Sequence, residues 1–178
     1  MILLAGWSNF YVIVGSSAGA LTGLTFVMIS LVVRQQPEDA RLAINAFSTP
    51  IVVHFSAVLL VAALLSAPWP ALAPVALLLG LGSVGGLGYV VLVMRRVHMV
   101  TSYEPEWDDW LWYAVLPAIA YVALLVSAVL LPSHPAPVLF VTATAMVLLL
   151  GLGIRDAWDA VTYLAIAQMS QPDADREK

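Results

Sequence analysis

The chain has 178 residues, 62% of them hydrophobic and only 10% charged, with a formal net charge of −4. Soluble domains carry roughly 25% charged residues, and a soluble fold of this size has too little interior to hide so much apolar surface. Cysteine is absent, which excludes disulfides, thiolate metal sites and cysteine nucleophiles, and no basic patch offers a surface to nucleic acid.

Residues 7–33 form the first long apolar run, more than the roughly 20 residues that cross a bilayer as a helix. No basic n-region precedes it, and it continues past the length of a signal-peptide core, so it reads as a retained first helix. Gly15, Gly19 and Gly23 recur at four-residue spacing in this run. Residues four apart share a helix face, and glycines in that register let another backbone approach closely. The same half of the helix collects Ser8, Ser16, Ala18, Thr22, Thr25 and Ser30, while Leu21, Leu24, Val27 and Met28 lie opposite. Close helix packing and the lining of a hydrated path, with hydroxyls touching ions in transit, are both open to such a face.

Arg34 ends the first span. Residues 35–50 follow, with Pro37 placed to start a short helix or a simple linker. The second span, residues 49–67, contains His54, an ionisable group within an apolar run and therefore a functional candidate. The residue also suits a neutral role, hydrogen-bonded to a serine or a carbonyl, and Ser30 lies near the same depth. Pro68, Pro70 and Pro74 around Trp69 make an uncharged turn.

The third span, residues 71–94, holds Gly80, Gly82, Gly85, Gly86 and Gly88, a second packing groove or a hinge. Arg95 and Arg96 end it. The loop after them carries Glu104, Glu106, Asp108 and Asp109 among aromatic residues. It reads as a solvated loop anchored by tryptophans or as a vestibule that concentrates cations. The fourth span, residues 110–131, contains Pro117, which predicts a kink. A second uncharged turn leads to the fifth span, residues 138–154, which continues as helix over 155–170 before a charged tail at 171–178. Arg155, Asp156 and Asp159 sit at the junction, at spacings that make helix neighbours. They are interfacial if the span ends at Ile154, and in need of partners or a water-filled cavity if the lipid boundary lies deeper.

Five crossings place all seven Lys/Arg residues on one side, together with the eleven Asp/Glu. The positive-inside rule then predicts the N-terminus outside and the C-terminus in the cytoplasm. Trp7, Phe10, Tyr11 and Trp69 fall at the outer interface; Trp107, Trp110, Trp112, Tyr113 and Trp158 fall at the inner one. There is no HExxH, GxSxG or phosphate-binding glycine loop, so no catalytic residue, metal site or cofactor is assigned.

The stretches WSNFYVIVGSSAGALTGLTFVMISL, STPIVVHF, DDWLWYAVLP and RDAWDAVTY resemble a bacterial family of small integral membrane proteins over nearly the whole chain. The resemblance implies a bacterial inner-membrane location and brings no activity, cofactor or site residue.

The expected fold is an all-α bundle of five transmembrane helices, N-out and C-in, with the last helix extending into the cytoplasm. The first expected function is a homo-oligomeric channel or pore, cation-favouring, lined by Gly15, Ser16, Gly19, Thr22, Gly23 and Ser30. Its partners would be the lipid bilayer, other copies of the chain and inorganic cations. An accessory subunit packing through the same glycines is the alternative, and an intramembrane enzyme or lipid-binding protein using His54 or Asp156 and Asp159 is the third.

Overall fold

The computed structural model describes residues 2–33, 38–99 and 110–169, all of it helix and turn. A short lead-in helix, α1 (Ile2–Ala5), precedes α2 (Ser8–Val33). Then come α3 (Glu38–Ser66) and α4 (Leu72–Met99). A single π turn (Leu111–Val115) runs straight into α5 (Leu116–Leu130), and α6 (Pro135–Met169) ends the described chain. Five of these helices are long and apolar enough to cross a membrane, over Ser8–Ser30, Thr49–Ser66, Leu72–Arg95, Leu111–Leu130 and Pro135–Thr162. Helices suit this role because lipid cannot hydrogen-bond a bare peptide group, and a helix satisfies its own.

The fifth span runs over Pro135–Thr162 rather than 138–154, and two further details differ from the sequence reading. The stretch before the second span is not a separate helix or linker over its last part: α3 starts at Glu38 and runs through Pro50 without interruption. The proline near the end of α3's first half removes one backbone donor, and the helix continues on either side of it. In the fourth span the effect of Pro117 is local. A proline ring clashes with the carbonyl four residues before it, here that of Tyr113. Tyr113 lies inside the π turn, where the Leu116 amide reaches back five residues to the Leu111 carbonyl. The widened turn gives the ring its space.

The helices form two closely packed pairs joined by a fifth. α2 packs most extensively on α3, and α4 on α5. α6 lies against both α3 and α5, whereas α3 and α4, neighbours in sequence, touch much less. The core along α6 is built from Leu139, Met146, Leu149 and Leu152, which meet Tyr121 and Leu124 of α5 and Val58 and Leu65 of α3 in one cluster. At one end Trp7 stacks edge-on to Phe140, at 4.7 Å between ring centroids, and so ties the start of α2 to α6. In the turn after α3, the Trp69 indole donates to the Leu64 carbonyl at 2.7 Å.

Glycine sets the closest approaches. A Cβ on Gly15 would stand 2.8 Å from that of Ala62 on α3. A Cβ on Gly86 would run into the Tyr121 ring, and one on Gly153 into the Phe55 ring. In contrast, a Cβ on Gly23, Gly82, Gly85, Gly88 or Gly151 would meet nothing within 4 Å. Gly86→Ala should therefore destabilise the protein by about 1–3 kcal/mol through overpacking. Gly82→Ala meets no neighbour and replaces a helix-weakening residue, so it should stabilise by up to about 1 kcal/mol. Denaturant-induced unfolding in detergent micelles, run on both variants, checks the contrast.

Candidate functional site

Two buried polar groupings stand out from the apolar bundle. The first is built on α3 and α5. His54 and Tyr121 are both almost wholly buried, and the His54 Nδ1 lies 3.3 Å from the Tyr121 hydroxyl. The rings tilt at 39°, with centroids 6.1 Å apart. The Tyr121 ring reaches this position by lying on Gly86 of α4, where any side chain would block it. One tyrosine thus couples three helices.

This arrangement corrects the expected partner of His54. Ser30 instead donates to the Phe26 carbonyl of its own helix at 2.8 Å. The true partner is 67 residues away in sequence. Nothing in the local pattern around Tyr121 distinguishes it from an ordinary apolar ring.

Above this pair, the loose seam between α3 and α4 opens as a groove of about 590 Å³. Its walls include Ser56 and Leu60 of α3 and Leu78, Gly82 and Gly85 of α4, and its floor includes Tyr121. The lining is almost entirely apolar. The buried Ser83 hydroxyl beside it donates to the Leu79 carbonyl, as hydroxyls in membrane helices commonly do.

The second grouping lies near the far end of the last apolar span. Arg155, Asp156 and Asp159 all fall within Pro135–Thr162, one helix with the rest of α6. Asp156 is buried, with 4% of its side chain exposed, while Asp159 is 44% exposed and Arg155 33%. The Arg155 Nη1 stands 3.6 Å from Asp159 Oδ2 and 4.0 Å from Asp156 Oδ1. It hydrogen-bonds to neither: Arg155 Nη1 and Asp156 Oδ1 are both buried without a hydrogen-bond partner. The guanidinium is held over the Trp112 ring, 4.2 Å from its centroid, and lies 5.9 Å from that of Tyr113. Both rings belong to the π turn, so the turn that accommodates Pro117 also seats Arg155.

The Gly/Ser/Thr half of the first span divides. Gly15 is buried against α3, and Gly19 faces the Leu59 side chain of the same helix. Thr22 is half-buried and donates to the Ala18 carbonyl, and the buried Thr25 donates to that of Leu21. Ser16, Gly23 and Ser30 face outward, and Ala20 lies exposed between them. Glu104, Glu106, Asp108 and Asp109 lie outside the described residues. Among the described residues, no group of three or more His, Asp or Glu is placed to hold a metal ion.

Comparison with family models, with curated proteins and with solved structures gives no match.

The His54–Tyr121 contact has a measurable consequence. Interhelical hydrogen bonds within membranes contribute about 0.5–2 kcal/mol. Tyr121→Phe should lower stability by that order. It should lower it less in a His54→Ala background, because the partner is already gone. A double-mutant cycle on unfolding in micelles tests this, and additive effects would show that the contact contributes nothing.

Proposed function

We propose that the chain is a multi-pass bacterial inner-membrane subunit that works by associating with other transmembrane helices, first of all copies of itself. The observation that carries this reading is the division among the glycines. Gly15, Gly86 and Gly153 are required by the chain's own packing, whereas Gly23 on α2 and Gly88 on α4 are exposed with nothing against them, and Gly82 and Gly85 open onto the groove beside α3. A glycine inside a helix weakens it, and small outward residues let a second helix approach closely. On α2 the exposed Ser16, Ala20 and Gly23 extend this outward small face. α2 is packed chiefly on α3 alone, so one flank of it is left for such contact.

The orientation that accompanies this proposal is N-out and C-in, supported by the seven Lys/Arg residues that five crossings place on one side. The acidic residues 104, 106, 108 and 109 then lie in the cytoplasm.

A second reading is passage of cations along the axis of a symmetric assembly. It is favoured by Ser16, Gly23 and Ser30, which face outward on α2 rather than into the chain's own core. The Ser30 hydroxyl donates to its own helix, so its oxygen retains lone pairs for a cation. Gly15 and Gly19 take no part in this version, because α3 occupies their side.

The mass of the particle in lipid nanodiscs tests the first reading. A discrete homo-oligomer is expected, and Gly23→Leu should shift it toward monomer without lowering the unfolding midpoint of the isolated chain. A monomer at every lipid-to-protein ratio overturns self-association. For the second reading, reconstituted vesicles should release potassium faster than empty ones; equal rates across pH and voltage rule it out.

A further inference from the structure

The cluster at Arg155, Asp156 and Asp159 contains an imbalance that the helix packing itself does not resolve. One guanidinium faces two carboxylates, so the group is one unit negative. Asp156 is the member furthest from water, and its Oδ1 has no hydrogen-bond donor. An incompletely compensated charge in such a place is expensive, and the nearest cation is shared rather than its own. The Arg155 guanidinium is seated on Trp112 and shared with Asp159, and it stops 4.0 Å short of Asp156.

Among the residues whose side chains are described, the surrounding elements bring mainly apolar groups to Asp156. On α6 itself, the neighbouring turn brings the half-buried Ala157 and the buried Ala160. From α3, Ile51 and Phe55 pack in this region, with Phe55 seated on Gly153 one turn before Asp156. The one titratable group on that part of α3, His54, is engaged with Tyr121. From α2 comes Leu21, whose carbonyl already accepts from Thr25. The π turn presents Trp112 and Tyr113 to Arg155.

We propose that the Asp156 carboxylate binds one unit of positive charge taken from the aqueous phase, a proton or an alkali-metal ion. A divalent ion is disfavoured by the charge, since the cluster lacks only one positive unit. Asp159, three residues on and nearly half exposed, supplies the entry point. It lies on the adjacent turn and draws cations toward the buried carboxylate. Every group involved belongs to a single chain, so the site stands whether or not the protein self-associates.

Dicyclohexylcarbodiimide tests the assignment, because it reacts with a protonated carboxyl in apolar surroundings. The acid proton moves to one nitrogen, the carboxylate oxygen adds to the central carbon, and the acyl group then shifts to the other nitrogen. The whole reagent stays on the protein. In nanodiscs, the peptide containing Asp156 should gain one reagent mass, several-fold faster than Asp159, and raising the pH should slow the gain. Asp156→Asn should abolish it. Replacing choline chloride by sodium or potassium chloride separates the two ligands. Slower labelling identifies an alkali ion competing for the carboxylate, and unchanged labelling identifies the proton alone. Absence of labelling at Asp156 in all salts and at every pH, or labelling no faster than at Asp159, overturns the proposal. The wild-type comparison needs no variant, so misfolding of Asp156→Asn leaves the test decisive.

Discussion

Lipid gives a helix no hydrophobic reason to leave it for another helix, so association within a bilayer depends on how closely two surfaces can fit. In this protein that fit is set by three glycines. Gly15 admits Ala62, Gly86 admits Tyr121 and Gly153 admits Phe55. These contacts join α2 to α3, α4 to α5 and α6 to α3. The Tyr121 ring, placed by Gly86, then reaches His54 and secures α5 to α3 with a hydrogen bond. Take away the close approaches and the buried polar groups lose the neighbours that define them.

The same principle explains where the bundle is loose. α3 and α4 are joined by a short proline-rich turn and yet barely pack, because the glycines on the facing part of α4, Gly82 and Gly85, have no side chain fitted against them. The seam becomes a groove instead of a contact. Polar groups are distributed accordingly. The hydroxyls of Thr25, Ser83 and Thr142 turn back to carbonyls of their own helices, while His54 and Tyr121 bridge between helices. Asp156 does neither, and its buried Oδ1 is left without a hydrogen-bond donor.

The five apolar helices were legible in the sequence because an apolar run of about 20 residues, bounded by charge or proline, is the length that a bilayer demands of a helix. The glycine register was also legible, but its division was not. Each four-residue step rotates about 40° around an α-helix, so Gly23 sits some way round from Gly15 although the motif treats them as equivalent. That rotation carries Gly23 off the surface covered by α3. His54 was recognisable as a buried ionisable group, whereas its partner depends on a ring from α5 crossing over α4's glycine, a tertiary fact. Arg155, Asp156 and Asp159 were recognisable as helix neighbours. Their unequal burial follows from the side of α6 that α3 covers, which composition does not encode.

The order of contacts bears on how the protein is made. α2 and α3 precede α4 and α5 in the chain, so the first pair can form before the second. Between the two pairs there is only the weak α3–α4 seam until α6 arrives. Because α6 touches both α3 and α5, the helix that follows both pairs in the chain is the keystone of the bundle. Without α6, the two pairs would share little beyond the loose α3–α4 seam, so the integrity of the whole bundle rests on a single helix.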